Sequence, residues 1–305
     1  MTGERPLLVI LGPTASGKSA LALEIARRVE AEILSVDSMQ VYRGMDIGTA
    51  KPAAAERAQI PHHLLDCVRP DEVFSAARFV QLAEAVIATA RQQDGKLIAT
   101  GGTPLFFKAL FEGLFAGPAA DESIRQPLRA LDGKELHDRL RAVDPPAAAK
   151  IHPADRKRLI RALEVYQLSG QPISSLQSQW ESGGALRHPA VWIGLLWEKE
   201  SLNSRINARV KQMIAAGWVE EVRGLLRQYP QLSKTAQEAT GYRELIEHLQ
   251  GHRSLEDAIE QIKIATRQLA RRQMKWFRRF GQVHWLAGDR PLEQNVEQSL
   301  RLWQG

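Results

Sequence analysis

The sequence predicts an α/β protein built on a parallel sheet, and three observations support that prediction. Short apolar segments typical of buried strands alternate with segments of helical periodicity through most of the chain. A glycine-rich loop joins the first of these strands to the first helix. Residues 113–186 instead contain several prolines and many arginines, and no convincing strand. We therefore expect a core formed by residues 1–112 and 187–305, with an all-helical insertion at residues 113–186.

Each strand is predicted from a continuous apolar run, and each helix from its 3.6-residue periodicity. The predicted strands are Leu7–Leu11, Glu32–Val36, Lys96–Thr100 and Val191–Trp197. The predicted helices are Ser19–Val29, Ala76–Arg91, Ser201–Ala216, Val219–Gln228 and a long basic helix that includes Gln261–Phe280. A loop sequence at Glu181–Gly184 marks the return from the insertion to the core.

Composition excludes several classes of protein. The chain has 305 residues, of which 44% are hydrophobic, and a net charge of +6, which excludes intrinsic disorder. Its single cysteine, Cys67, excludes a disulfide framework and a cysteine-based zinc site. No apolar run is long enough to span a membrane, and the N-terminal apolar run is too short for a secretory signal. We therefore expect a cytoplasmic protein.

Positive charge is concentrated in one segment. Between Gln261 and Phe280 the chain carries seven lysines and arginines and no acid. The charge of this segment, +7, exceeds the net charge of the whole protein, +6. Five of these cations recur at every fourth residue and would form a cationic ridge along a helix: Lys263, Arg267, Arg271, Lys275 and Arg279. A solvated helix face is one explanation of the ridge. The other is a binding surface for an anionic partner, above all nucleic-acid phosphate.

The segment Gly12-Pro13-Thr14-Ala15-Ser16-Gly17-Lys18-Ser19 matches the full pattern G-x-x-x-x-G-K-[ST], and we call it the phosphate loop. It follows a predicted strand and opens a predicted helix, which is the context that the pattern requires. Its backbone N–H groups and the helix N-terminus would bind phosphate oxygens. Lys18 would contact the same oxygens, and the hydroxyl of Ser19 would bind Mg²⁺.

Hydrolysis of ATP or GTP is the usual activity of such a loop, but the acids expected for it are missing. Hydrolysing enzymes of this class commonly hold Mg²⁺ with an aspartate, whereas the strand Lys96–Thr100 runs into Gly101-Gly102-Thr103. Asp37, at the end of the second strand, is the one well-placed acid. A diphosphate can instead be the leaving group, with Asp37 deprotonating the nucleophile that displaces it.

Longer motifs resemble those of the tRNA dimethylallyltransferases, also called tRNA isopentenyltransferases. The matching segments are Asp37–Pro52, Pro61–Asp66, Gly101–Thr103, His152–Val165, Gly241–Arg243 and Thr266–Gln273. The resemblance runs nearly from end to end, and the single cysteine fits the bacterial type, which lacks the zinc finger of eukaryotic relatives. It implies a three-layer αβα phosphate-loop core with a helical C-terminal part, and a helical insertion that binds the anticodon stem.

The resemblance implies transfer of a dimethylallyl group from dimethylallyl diphosphate to N6 of adenosine 37, beside the anticodon of tRNA. The target base would flip out of the anticodon loop to reach the enzyme. Asp37 would take the proton from the N6 amine. Lys18, Ser19 with Mg²⁺, and Arg209 would stabilise the departing diphosphate. We expect the enzyme to be a monomer that does not associate with membranes.

The resemblance also implies a set of residues that contact tRNA. They are Asp37, Ser38, Met39, Gln40, Thr103, Arg125, Lys157, Arg158, Leu159, Ile160, Arg161, Glu238, Ala239, Thr240, Gly241, Tyr242 and Arg243. Two positions depart from the family pattern: Phe106 replaces a tyrosine, although its ring could still line a channel for the prenyl group, and Thr240 stands where valine or isoleucine is common. We interpret His62, His63 and Asp66 as structural residues. The tryptophans at 180, 192, 197, 218 and 276 are interpreted as packing residues.

Two functions of other classes stay open beside prenyl transfer. One is a phosphate-loop NTPase, or a kinase that acts on a small molecule or nucleotide. The other is an RNA-binding protein without enzymatic activity that keeps a vestigial nucleotide-binding fold. Incorporation of labelled dimethylallyl groups into tRNA would distinguish prenyl transfer from both alternatives. Hydrolysis of ATP would indicate the NTPase or kinase, and salt-dependent RNA binding without any reaction would indicate the RNA-binding protein.

Overall fold

A computed structural model describes residues 5–113, 117–177 and 186–304. The chain forms two compact units. The larger unit comprises residues 1–111 and 188–305, and the smaller one comprises residues 112–187. The predicted loop Glu181–Gly184 and Trp180 lie outside the described residues. None of the helices in the described ranges has the length and apolar character needed to cross a bilayer.

A parallel six-stranded sheet organises the larger unit, in the order β3-β2-β4-β1-β5-β6. Its strands are β1 (Leu7–Leu11), β2 (Ala31–Ser35), β3 (His62–His63), β4 (Lys96–Gly101), β5 (Ala190–Leu196) and β6 (Val283–Ala287). The four predicted strands are present within one residue at each end. The prediction missed β3, which has only two residues, and β6, whose exposed His284 interrupts its apolar sequence.

Helices cover both faces of this sheet. The helices of the larger unit are α1 (Lys18–Val29), α2 (Ala54–Gln59), α3 (Ala76–Gln92), α4 (Pro104–Phe111), α10 (Lys199–Ala215), α11 (Trp218–Gln228), α12 (Lys234–Gln237), α13 (Tyr242–Leu249), α14 (Leu255–Phe277) and α15 (Leu292–Gln304). Ile193 of β5 lies in an apolar cluster with residues of α1 and α15. Its neighbour Trp192 points to the opposite face, where Phe107 of α4 lies 6.0 Å from Trp192 and 6.1 Å from Phe277 of α14 between ring centroids. The predicted three-layer αβα core is confirmed.

The described residues of the smaller unit form helices joined by short loops, and no strand. Its helices are α5 (Glu122–Ala130), α6 (Gly133–Val143), α7 (Pro145–Lys150), α8 (Arg156–Ser169) and α9 (Ile173–Gln177). Leucines of α6 and α8 form the centre of its own apolar core. Glu164 is fully buried within this unit and accepts hydrogen bonds from Arg125 at 2.8 and 2.9 Å and from Arg161 at 2.6 Å. This paired, buried carboxylate links α5 to α8.

The long basic helix forms, but the predicted cationic ridge does not run along it unbroken. Lys263 is buried and its Nζ lies 2.5 Å from Glu260 Oε1, while Arg267 donates to Asn207 Oδ1 of α10 at 2.7 Å. The prediction that these two cations belong to the ridge was wrong, because that part of α14 packs against α10. The exposed cations are Arg271, Arg272, Lys275, Arg278 and Arg279, which we call the basic end of α14.

Candidate active site

Three neighbouring strands bring the predicted site residues to one edge of the sheet. β1 lies at the centre, between β4 and β5, and β4 in turn pairs with β2. The phosphate loop follows β1, Asp37 follows β2, and Thr103 follows β4. Since these strands are parallel, all three loops leave the sheet at its carboxyl edge, which is where α/β proteins of this type bind ligands.

The phosphate loop is a tight turn that depends on glycine at both ends. Gly17 has φ +93° and precedes the first residue of α1, a left-handed conformation that favours glycine. A Cβ atom on Gly12 would lie 2.7 Å from Ser16 Oγ, so a side chain at this position would displace the Ser16 hydroxyl. The hydroxyl of Ser16 is buried without a hydrogen-bond partner among the described residues. An anion in the loop would supply the missing acceptor.

Two side chains donate hydrogen bonds to carbonyl groups of the phosphate loop. Trp197 Nε1 donates to the carbonyl of Ser16 at 2.9 Å, and Arg205 Nε donates to the carbonyl of Ala15 at 2.9 Å. The guanidinium of Arg205 also lies 4.3 Å from the centroid of the Trp197 ring. Because the C=O and N–H of a trans peptide point in opposite directions, the amide N–H of Gly17 is directed away from Trp197. From the sequence, Trp197 is interpreted as a packing residue alone, and Arg205 is not predicted to contribute to the site.

Lys18, Arg209 and Asp37 are brought together electrostatically. Burial and, to a smaller extent, the positive charge of Arg209 lower the pKa of the Lys18 ammonium to about 8, although the carboxylate of Asp37 partly opposes both effects. Burial likewise lowers the pKa of Arg209, again against the attraction of Asp37. Two desolvated cations thus share one carboxylate, and an added anion would relieve this excess of positive charge.

Asp37 is held in a turn at the end of β2. Its Oδ1 accepts hydrogen bonds from the backbone N–H groups of Met39 at 2.9 Å and Gln40 at 3.4 Å, as short polar side chains do in turns. The turn is tied to the β4 loop, because Ser38 N donates to Thr103 Oγ1 at 2.9 Å. Asp37 is half-buried. Oδ1 therefore maintains the turn, and the carboxylate keeps a second oxygen for chemistry.

In the insertion, burial limits which of the predicted RNA-contacting side chains could reach RNA. Leu159 and Ile160 are buried in the apolar core of the smaller unit. That the segment 157–161 contacts RNA stays a prediction, and these two side chains offer little surface for such a contact. Arg125 and Arg161 are half-buried and bound to Glu164, as described above. Lys157 and Arg158 of α8 are exposed.

The same limit applies to the predicted segment 238–243. Ala239, Gly241 and Tyr242 are buried, and the Tyr242 ring packs edge-on against Trp218 with centroids 5.7 Å apart. That this segment contacts RNA stays a prediction, and these three residues offer little surface for such a contact because they lie in the core. Glu238 and Arg243 are exposed, and Thr240 is half-buried.

Several other interpreted residues have structural partners. Phe106 is buried and stacks on Phe79 with centroids 4.2 Å apart, so its ring belongs to the core. His62 and His63 contact the carbonyl of Ile60 and the carboxylate of Glu32, each at 2.7 Å. Asp66 bonds Lys51 at 2.6 Å and Arg57 at 2.9 Å. Among the described residues no group of three or more His, Cys, Asp or Glu side chains could hold a metal ion.

The fold and this site are those of an α/β protein in which a glycine-rich loop after β1 lies near an aspartate that follows β2. Residues 40–280 match the family model described as IPP transferase. The chain belongs to this family and is a prenyltransferase. The phosphate-loop NTPase or kinase is not favoured.

Relatives and solved structures agree with this assignment. The chain is 48% identical to a tRNA dimethylallyltransferase from Geobacter metallireducens over 92% of each chain. It resembles the crystal structure of a tRNA isopentenylpyrophosphate transferase from Bacillus halodurans, with 37% identity, a TM-score of 0.69, and 99% of this chain and 100% of that one covered. It also resembles a eukaryotic dimethylallyltransferase acting on tRNA, with 28% identity, a TM-score of 0.83 and 96% and 77% of the two chains covered.

Proposed function

We propose that this enzyme transfers a dimethylallyl group from dimethylallyl diphosphate to N6 of adenosine 37 in tRNA. The observation that supports it best is that Lys18 of the phosphate loop lies within electrostatic reach of both Arg209 and Asp37. Two desolvated cations are suited to a diphosphate that gains negative charge as it leaves. A single carboxylate is suited to removing one proton from the attacking amine.

In the proposed reaction the bond between the allylic carbon and the diphosphate oxygen breaks as the bond from that carbon to N6 forms. Lys18, Arg209 and the amide of Gly17 hold the diphosphate and stabilise the charge that it takes away. Asp37 accepts the proton that N6 loses. Because the N6 amine is a weak nucleophile, its alignment by Asp37 contributes to the rate as well as its deprotonation.

Ser19 fits a role as a ligand of Mg²⁺. Its side chain is exposed in the first turn of α1, where the hydroxyl offers the kind of oxygen donor that Mg²⁺ prefers. Mg²⁺ is usually held by one or two protein ligands together with substrate phosphates, so a larger cluster of acids is not needed. When bound, the ion would neutralise part of the charge on the diphosphate.

For the RNA we propose contacts at the carboxyl edge of the sheet and at exposed helical positions. The proposed residues are Ser38, Met39, Gln40, Thr103, Lys157, Arg158, Glu238, Thr240, Arg243 and the basic end of α14. Arg125 and Arg161 would act by keeping α5 and α8 together, since both bind Glu164. One chain supplies all of these groups, so we propose that a monomer is sufficient. We also propose that the enzyme acts in the cytoplasm.

The test is incubation of the purified protein with Mg²⁺, unmodified tRNA and radiolabelled dimethylallyl diphosphate, followed by digestion of the RNA and identification of the labelled nucleoside. We expect N6-isopentenyladenosine, and we expect no product from a matched tRNA with guanosine at position 37. Hydrolysis of ATP is measured with the same preparation. Unlabelled RNA together with rapid ATP hydrolysis would contradict the proposal and support the NTPase.

A further inference from the structure

Gln273 connects two of the loops that form the site. This residue of α14 is 7% exposed. Its Oε1 accepts a hydrogen bond from the backbone N–H of Thr14 in the phosphate loop at 2.8 Å, and its Nε2 donates to the carbonyl of Gly102 after β4 at 2.7 Å. A single carboxamide therefore satisfies a donor of one loop and an acceptor of the other.

The same carboxamide lies close to Asp37. A Cβ atom built on Gly102 would lie 2.7 Å from Gln273 Nε2 and 3.4 Å from Asp37 Oδ2. The two side chains thus flank the same glycine, and any side chain at position 102 would collide with Gln273. The absence of a side chain at Gly102 is what allows α14, the phosphate loop and the Asp37 turn to meet.

We infer that Gln273 is a positioning residue that sets the distance between the phosphate loop and Asp37. This inference rests on the proposed function, in which the diphosphate binds the loop while Asp37 holds the amine. The spacing matters because the two reacting atoms must be aligned when both substrates are bound. Gln273 also lies next to Arg272 of the basic end of α14, so the helix proposed to bind RNA is bonded directly to the phosphate loop.

The hydrogen-bond pattern requires an amide. Methionine at this position would keep most of the volume but leave the Thr14 N–H and the Gly102 carbonyl unpaired in a buried site. Glutamate would keep the shape, but its carboxylate cannot donate to Gly102 and adds a negative charge beside Asp37. Once protonated, the carboxylic acid can accept from Thr14 and donate to Gly102, as the amide does.

The experiment compares Gln273→Met and Gln273→Glu with the unchanged enzyme. We measure binding of pyrophosphate with Mg²⁺, kcat and KM for dimethylallyl diphosphate, affinity for tRNA, and Tm. For Gln273→Met we expect a rise of about tenfold or more in the Kd of pyrophosphate and a fall of about tenfold or more in kcat. The affinity for tRNA should change by less than about twofold, because Gln273 itself is buried.

The pH profile of Gln273→Glu separates positioning from a general structural role. The activity of this variant, divided by that of the unchanged enzyme at each pH, should rise as pH falls from about 8 to about 6, because protonation restores the donor to Gly102. Because a buried carboxylate would also make the stability of the fold depend on pH, activity is expressed per folded enzyme at each pH, and a merely structural defect would then leave the ratio constant. Gln268→Met and Gln268→Glu are the matched controls, since Gln268 is an exposed glutamine on the same helix.

The outcomes are distinguishable from failure of the proposed function. If the unchanged enzyme binds pyrophosphate but does not label tRNA, the proposed function fails, and the pyrophosphate measurements still test Gln273. A lower Tm with unchanged Kd and kcat, or a flat activity ratio for Gln273→Glu, would overturn the positioning role. Gln273→Glu keeps the side-chain shape, so it provides the test even if Gln273→Met does not fold.

Discussion

At the scale of single residues, the protonation of Lys18 should respond to the bound diphosphate. Its pKa of about 8 in the free enzyme means that a growing fraction is neutral above that pH. A bound diphosphate favours the charged form, so binding above pH 8 must take up a proton. We expect the affinity for dimethylallyl diphosphate, measured without RNA, to fall above pH 8 by up to about tenfold for each pH unit.

Calorimetry in buffers of different ionisation enthalpy measures this proton uptake directly. Lys18→Arg is the control: its guanidinium stays charged, so its affinity should be lower but independent of pH in this range. The last proton of the ligand's phosphate groups has a pKa near 6, below the range in which Lys18 titrates. Constant affinity of the unchanged enzyme between about pH 7 and pH 9 would contradict the role of Lys18.

Asp37→Asn tests the base without removing the turn. The asparagine oxygen can still accept from Met39 N–H, whereas the amide cannot accept the proton from N6. We expect single-turnover rates to fall by about 10²- to 10⁴-fold, with the affinity for tRNA within about tenfold. Asp94→Asn, at an exposed carboxylate that pairs with Arg5, should leave the rate unchanged. A normal rate for Asp37→Asn would exclude Asp37 as the base.

The sequence could predict these residues because each belongs to a contiguous motif or ends a recognisable strand. Lys18 is fixed by the glycine pattern, and Asp37 by its position after an apolar run. Gln273, Trp197 and Arg205 could not be predicted in the same way. Their roles depend on contacts with a loop that is more than 180 residues away along the chain, and no local spacing encodes such a contact. Burial of Leu159 and Tyr242 is likewise a tertiary property.

At the scale of elements, one carboxylate of α11 holds the loop that follows the Asp37 turn. Glu221 accepts hydrogen bonds from the backbone N–H groups of Asp46, Ile47 and Gly48 at 2.9, 2.6 and 3.3 Å, and from the Tyr242 hydroxyl at 2.7 Å. Burial and this carboxylate hold the pKa of the Tyr242 phenol well above its usual range. The loop is thereby fixed to α11 and α13.

Glu221→Ala should therefore loosen the loop. We expect it to reduce the free energy of unfolding by about 2 kcal/mol, because charge-assisted hydrogen bonds to three backbone donors are lost. Hydrogen exchange of the Asp46, Ile47 and Gly48 amides should become faster. Glu220→Ala is the matched control on the same helix, because its exposed carboxylate pairs with Arg223 at the surface. Unchanged exchange at the three amides would contradict this account.

Helix α14 shows where periodicity alone fails as a predictor. Each step of four residues advances about 40° beyond a full turn, so the repeat of cations winds around the helix and its members do not all share one face. Nor does the repeat reveal which neighbour covers each part of it. Its first two members lie against α10, where Lys263 bonds Glu260 and Arg267 bonds Asn207. Burial of a cation is tolerated there because each finds a partner. The helix therefore changes along its length from a packing element to an exposed basic one.

At the scale of the whole molecule, strand order determines the site. The order β3-β2-β4-β1-β5-β6 places β2, β4 and β1 side by side, although these strands are separated by up to about 90 residues in sequence. Asp37, Thr103 and the phosphate loop follow these three strands and therefore lie at neighbouring positions on one edge of the sheet. The sequence predicted a parallel sheet and helical layers because alternating strands and helices favour them. It did not predict strand order or the edge strands, which depend on how the crossovers pack.

The basic end of α14 should give RNA binding a dependence on salt. Arg271 and Lys275 are exposed, and a cation that contacts a phosphate releases counterions when RNA binds. We expect Arg271→Gln with Lys275→Gln to weaken tRNA binding and to reduce the slope of log Kd against log salt by about one unit per lost contact. The control is a double variant that carries Arg290→Gln, just before α15, and Arg301→Gln, within α15. It makes the same change in net charge at two other exposed positions and should leave the slope unaltered. Equal slopes for both double variants would show that net charge, rather than this surface, governs the interaction.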